Sequence, residues 1–320
     1  MPFLILPRSP ALAEGQRAAL AGRLCPYTSS LKVLLETPSH AVLGTPLVAR
    51  DARGSLQPAL PRGTAHFEVA AEDDGLSVET DPLGTCPVWY ARAPGGWIIA
   101  PEAKALALLA PVELRPEAEL LAPGARPAGW SPSRGAERLA PGARLVLRGG
   151  ELKVEGGARA FDGVGGGAQD ADWPALLGAA LLHGFPDDGA PAAAFVSGGI
   201  DSSIACALAS RRGPVRTFSL GTRHGDEFGP AAELARALGC EHAEVALDEA
   251  GALEALDRVV FQNEVFDGLT AEILVQLAAL QAAAAERCRR AVTGYGSDLL
   301  FDGMLHVAAY MQAVGLTTTA

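Results

Sequence analysis

The chain has 320 residues, enough for two domains, and 49% of them are apolar, enough to build buried cores. Only 20% are charged, which excludes wholesale disorder. With 26 basic against 37 acidic side chains the net charge is −11, a poor match for nucleic acid but no bar to a small anionic ligand held by local donors.

No window reaches the roughly 18 apolar residues of a membrane span. The opening Met1–Arg8 stretch lacks a basic segment followed by a long apolar run, so a cytoplasmic location without membrane partners is expected. From the start, short apolar runs alternate with turn signals. Strands are predicted at Ala65–Ala70, Leu76–Glu79, Val88–Ala91, Trp97–Ala100, Arg144–Leu147 and Glu151–Val154, with Gly149-Gly150 as a hairpin turn. Helices are predicted at Leu12–Arg23 and Glu102–Leu109. A Gly-rich stretch without apolar period, FDGVGGGAQDAD, marks a linker over 161–172. This divides the chain into a strand-rich domain over 1–160 and a second domain over 173–320.

In the second domain strand and helix alternate. Helix Trp173–Leu182 is followed by strand Ala192–Ser197, helix Ser202–Ser210, strand Val215–Leu220, helix Pro230–Leu238 closed by Gly239, and strand His242–Val245. Helices Ala252–Gln262 and Thr270–Arg287 and strand Ala291–Thr293 complete the pattern. Such alternation predicts a parallel sheet with helices on both faces. Cys25, Cys86, Cys206, Cys240 and Cys288 show no metal-ligand spacing and read as reduced structural thiols. His224 and His242 are isolated and read as structural or surface residues.

The chemistry concentrates in two loops. In Phe195-Val196-Ser197-Gly198-Gly199-Ile200-Asp201-Ser202-Ser203 a strand enters a Ser-Gly-Gly turn that opens a helix. Free N–H groups and the helix dipole there suit the pyrophosphate part of a nucleotide, and Ser197, Ser202 and Ser203 add hydroxyls. The spacing is neither that of a Walker loop nor GxGxxG. In Val292-Thr293-Gly294-Tyr295-Gly296-Ser297-Asp298 a second Gly-flanked loop carries an aspartate; Asp201 and Asp298 together offer hard oxygen ligands for Mg²⁺.

SGGIDSS resembles the pyrophosphate loop of the ATP pyrophosphatases, and the two loops together resemble the synthetase domain of the asparagine synthetase superfamily. Asparagine synthetases carry glutamate where this chain has Tyr295. The Gly-Tyr-Gly-x-Asp form is similar to the β-lactam-forming branch, β-lactam synthetase and above all carbapenam synthetase. Phe218–Thr222, Asp226-Glu227-Phe228 and Asn263–Ile273 add to the match, which is good over about 191–305. It is weaker in the first half, through Asp81–Gly84, Pro87–Tyr90, Ala100–Leu106 and Leu139–Ala143.

The resemblance implies an α/β plus α+β architecture. An Ntn-hydrolase-like, glutaminase-type sandwich would be followed by a Rossmann-like pyrophosphate-loop domain. A glutaminase of this type needs a cysteine directly after the initiator Met; position 2 is Pro2, so no glutaminase activity is expected. ATP and Mg²⁺ are the implied cofactors. Ser197, Gly198, Gly199, Ile200, Asp201, Ser202, Ser203 and Gly294 would hold the ATP phosphates, with Val196 and Leu220 flanking the adenine. Glu264, Asp267 and Gly296 fall on the substrate side, and Tyr295 matches the tyrosine that helps remove the amine proton.

The implied reaction is adenylation of a carboxylate followed by attack of an amine of the same small molecule, a carboxymethylproline-like β-amino acid, in antibiotic biosynthesis. An asparagine-synthetase-like amide ligase using ammonia or another amine is the second expectation. The third is a nucleotide-binding subunit, because the family's downstream glutamate and lysine find no counterpart before Ala320 and Asp302 replaces a loop glycine. A complementing C-terminal chain or a homo-oligomer would then be the partner.

Overall fold

The structure, a computed structural model, describes residues 3–7, 32–44, 48–58, 66–115, 133–157, 172–183, 189–265 and 268–297. It divides into two units, one of residues 1–171 with 260–271, the other of 172–259 with 272–320. The predicted helix Leu12–Arg23 and nearly all of the predicted linker lie outside the described residues, as do Cys25, Asp267, Asp298 and Asp302.

The first unit begins with β1 (Phe3–Pro7), β2 (Lys32–Glu36), β3 (His40–Gly44), β4 (Val48–Arg50), β5 (Leu56–Pro58), β6 (Phe67–Glu72) and β7 (Gly75–Thr80). It continues with β8 (Trp89–Ala93), β9 (Gly96–Ala100), helix α1 (Ala103–Ala107), β10 (Glu113–Leu114), β11 (Ser133–Arg134), β12 (Ala136–Arg138), β13 (Ala143–Arg148) and β14 (Glu151–Gly156). Two six-stranded sheets form, in the orders β12-β8-β9-β1-β3-β2 and β14-β13-β7-β6-β5-β4, with β10 and β11 as a separate pair.

Their inner faces share one core, in which Phe3, Ile5, Val42 and Ile99 of one sheet meet Phe67, Val69, Val78 and Leu145 of the other. The Phe3 and Phe67 rings lie 4.7 Å apart between centroids. The opposite face of the first sheet is also covered: Leu4, Leu6, Leu43 and Ile98 pack with Ala103 and Leu106 of α1. That double burial explains why β1 is a continuous apolar run while β13, with one face open, alternates. Gly149-Gly150 makes the expected β13–β14 hairpin, both with positive φ. Asp81 organises the loop after β7, accepting N–H groups of Leu83 at 2.9 Å and Thr85 at 3.1 Å.

The second unit contains α2 (Trp173–His183), β15 (Ala192–Phe195), α3 (Ile200–Ser210), β16 (Val215–Thr222), β17 (Gly225–Asp226), α4 (Phe228–Leu238) and β18 (Glu241–Ala246). Then follow α5 (Glu249–Asn263), α6 (Gly268–Ala285), which passes from the first unit into the second, and β19 (Ala291–Thr293). β15 pairs in parallel with β16 and β19, and β18 in parallel with β16; β17 is a short antiparallel return on the end of β16. The expected helices on both faces are present. Ala194, Val196 and Val292 pack with Cys206 and Ala209 of α3 and Ala231 of α4. Ala193, Phe195, Phe218 and Leu220 pack on the other side with Leu280 and Ala284 of α6. Gly239 ends α4 in the left-handed conformation, φ 68°. No helix among the described residues is long and apolar enough to cross a membrane.

His242 ties β18 to β16. Its Nδ1 lies 2.9 Å from Thr217 Oγ1 and its Nε2 3.1 Å from Ser219 Oγ, and both hydroxyl residues are fully buried. Desolvation pushes the imidazole below the usual histidine range, against the pull of Glu244. The unfolded chain therefore takes up this proton first as pH falls, and stability is lost from about pH 6.5 downward toward the folded value. Urea unfolding between pH 7.5 and 5 is expected to show this loss. In His242→Gln the pH slope is expected to shrink to the share carried by other groups, among them His40, which burial also holds low.

Candidate functional site

The turn between β15 and α3 is built by close packing. Val196 N–H donates to Phe218 O at 2.9 Å, holding the strand end in the sheet. Gly198 adopts φ 78°, and a Cβ there would lie 2.3 Å from Pro230 Cβ, so only glycine lets α4 seat against the turn. Gly199 is the N-cap of α3 in extended conformation and has no side chain to cap it. The serine hydroxyls turn inward. Ser202 and Ser203 Oγ donate to Gly199 O at 3.1 and 2.7 Å, and Ser197 Oγ accepts Gly199 N–H at 3.2 Å and meets Ser202 Oγ at 3.1 Å. The donors left for an anion are therefore first-turn N–H groups of α3, which have no intrahelical acceptor.

The loop after β19 lies against that same turn. A Cβ at Gly294 would fall 2.7 Å from Ser202 N and 2.9 Å from Asp201 Cβ. Tyr295 N–H donates to Thr293 Oγ1 at 3.2 Å and Ser297 Oγ to Gly294 O at 2.8 Å, which fixes the loop while the Tyr295 ring stays exposed.

A cavity of about 520 Å³ opens between these loops. Val196, Ser197, Gly199, Asp201 and Ser202 line it from the turn, Leu220 from the end of β16, and Gly294, Tyr295 and Gly296 from the second loop. The structure thus brings together nine of the residues singled out in the sequence. Gly198, Ile200 and Ser203 shape the turn without lining the cavity, and Glu264 falls in the first unit. Sequence reasoning gave no role to Glu227, Ile273, Gln276, Leu277 and Leu280, which also line it. Glu227 and Ile273 stood inside matched segments; the α6 residues showed only an apolar helix. Desolvation pushes the Glu227 carboxyl up from its ordinary value.

Residues 187–315 match the family model described as asparagine synthase. The carboxyethyl-arginine β-lactam synthase of Streptomyces clavuligerus is 29% identical over 314 residues, covering 89% of this chain and 60% of that protein. Glutamine-hydrolysing asparagine synthetase of Homo sapiens is 29% identical over 120 residues, 35% of this chain and 21% of the relative. The NMN synthetase of Francisella tularensis overlaps at TM-score 0.26 and 21% identity, over 37% of this chain and 52% of that one, too slight to support a reading. The chain spans 60% of the length of the β-lactam synthase it matches.

Within the segment that matches the asparagine synthase model, Glu264 is held against the start of α1. It belongs to the first unit, where its carboxylate accepts the N–H groups of Ala103 at 2.9 Å and Lys104 at 2.6 Å, the first two of α1. Lys104 Nζ lies 3.7 Å from Glu264 and 2.6 Å from Glu102, and 5.3 Å from the centre of the Phe261 ring. Glu264 holds φ 55°, a left-handed conformation that costs an ordinary residue roughly 1–2 kcal/mol. The four described cysteines are free, and burial pushes Cys206 up to about 12 and Cys86 to about 11, as befits inert thiols.

Replacing Glu264 with Ala removes two charge-assisted hydrogen bonds from a half-buried cluster. A loss of about 1.5–3 kcal/mol is expected in the stability of the first unit. Faster amide exchange at Ala103 and Lys104 would report it locally; unchanged exchange there would contradict the assignment.

Proposed function

We propose that the second unit is an ATP-dependent ligase domain that activates a substrate carboxylate as an acyl-adenylate. The amine of the same molecule then closes an amide, forming a β-lactam and releasing AMP. The reading rests on one observation above the others: the SGGIDSS turn and the Gly-Tyr-Gly loop pack directly on each other around one cavity. Similarity to a β-lactam synthase over most of the chain supports it.

A free carboxylate is a poor acyl donor, because oxide is no leaving group; its attack on the α-phosphorus of ATP expels pyrophosphate and leaves AMP as the group to be displaced. The first-turn N–H groups of α3 would bind the departing pyrophosphate. Asp201, an oxygen donor on the cavity wall, suits Mg²⁺, which when bound neutralises phosphate charge; Asp298 is the second proposed ligand. Val196 and Leu220 would flank the adenine. Tyr295 would accept the amine proton, directly or through a neighbour, since a phenol is a weak base near neutrality. Gly296 and Asp267 are kept as substrate-side residues. Closing a four-membered ring is chiefly a matter of orientation, and the cavity wall beside the phosphate turn would serve it.

For the first unit we propose the glutaminase-type, Ntn-hydrolase-like architecture without hydrolase chemistry; its two stacked antiparallel sheets support this. The human asparagine synthetase match favours a second reading, amide formation with ammonia.

Release of AMP and pyrophosphate from the purified chain separates the readings. It would be measured with ATP, Mg²⁺ and either a carboxymethylproline or carboxyethyl-arginine, without ammonia. Substrate-dependent release, reduced at least about 100-fold in Asp201→Ala, is expected. In Tyr295→Phe, substrate-dependent exchange of pyrophosphate into ATP is expected to persist while lactam formation falls by about 10²-fold or more. Release only when ammonia is added would replace the lactam reading with the amide-ligase one.

A further inference from the structure

The sheet order sets a direction across the cavity. β15 carries the phosphate turn, β19 on one side carries Tyr295, and β16 on the other ends at Leu220. Glu227 belongs to the β16 side, where its N–H donates to Leu220 O at 3.3 Å. If the reacting acid and amine lie toward Tyr295, the nucleoside must extend the other way, over Leu220 and Val196. That wall is apolar and suits a flat base. A ribose beside it brings two adjacent hydroxyl donors that need an acceptor.

The charged groups nearby in sequence are engaged elsewhere. Asp226 Oδ1 accepts Phe228 N–H at 3.1 Å, and Arg223 pairs with Glu249 at 2.6 Å. Glu227 lines the cavity and caps α4 only through its backbone, with no side-chain cap bond. We infer that Glu227 accepts hydrogen bonds from the ribose 2′- and 3′-hydroxyls of ATP, fixing the nucleoside at the β16 end of the cavity. A carboxylate matches a cis-diol because its two oxygens can take one donor each, the same logic by which acidic residues select ribose in dinucleotide sites. The Glu227 side chain is exposed, so a diol can reach it, and donors there would favour the carboxylate against the desolvation that pushes its pKa up.

The inference rests on the ATP-binding reading, and calorimetric titration of the full chain distinguishes the two. The ligands are ATP, 2′-deoxy-ATP and 3′-deoxy-ATP, with Mg²⁺ and without acid substrate. The native chain is expected to bind ATP about tenfold or more tighter than either deoxy form. Glu227→Ala is expected to bind ATP more weakly by a similar factor and to lose the discrimination. Glu227 makes no side-chain cap bond, so this variant is expected to keep its circular dichroism spectrum; the native-chain comparison needs no variant at all. Equal binding of ATP and both deoxy forms by the native chain would overturn the ribose assignment and leave ATP binding standing. So would discrimination that survives Glu227→Ala. No binding of ATP would overturn the underlying reading instead.

Discussion

Two missing Cβ atoms hold the site together. At Gly198 the turn meets α4, and at Gly294 the β19 loop meets the first turn of α3. At either place a methyl group would sit inside any normal contact distance, 2.3 Å from Pro230 or 2.7 Å from Ser202 N. Removing either gap would force backbone apart, because the opposing atoms are a proline ring and a helix terminus rather than the ends of flexible side chains. The N–H groups at the start of α3, the position of Asp201 and the direction of Tyr295 all follow from that packing. The inward turn of the three serine hydroxyls belongs to the same economy of space: they satisfy Gly199 O and one another, which keeps the turn fixed and leaves its donors to the backbone.

The parallel sheet supplies the frame in which those contacts occur. Alanines in β15 allow α3 and α4 on one face and α6 on the other to approach closely, and Phe195 and Phe218 fill the remaining volume edge-on, 6.4 Å between ring centres. On the α3 and α4 face, His242, Thr217 and Ser219 put polar groups into an otherwise apolar layer, with each side-chain partner accounted for. The first unit uses the other common solution, two antiparallel sheets with a shared core and one outer face covered by α1.

Much of the second unit was legible because its signals are local. A buried strand, a glycine turn and a helix follow one another within Ala192–Ser210, and Gly239 marks a helix end by its own conformational freedom. The Ser-Gly-Gly turn was visible for the same reason. Less was legible where burial on both faces erased periodicity: β1 is only FLILP, and nothing in so short a run tells a strand from a helix. β2 to β5 are short and lie between turn-rich stretches, so they too escaped notice. The α6 wall of the cavity was hidden because a helix apolar all round does not announce which side faces a ligand. The contact of Glu264 with α1 was hidden for a different reason. Its segment lies among residues of the second unit in sequence, and only the folded chain reveals that its carboxylate is occupied by the start of α1.

That last feature makes the first unit discontinuous. Twelve residues, 260–271, are lent to it from deep within the second half of the chain, and the lending residue sits in a strained backbone state stabilised by α1 amides. No single cut in the polypeptide separates the two units cleanly: severing the chain near 172 leaves α1 without the acid that caps it and leaves Glu264 with a conformation it has no reason to keep. Gene fragments shuffled as whole halves would carry the same defect, so the two halves of this chain are constrained to change together, at α1 and at the α5–α6 connection, even where no chemistry is performed.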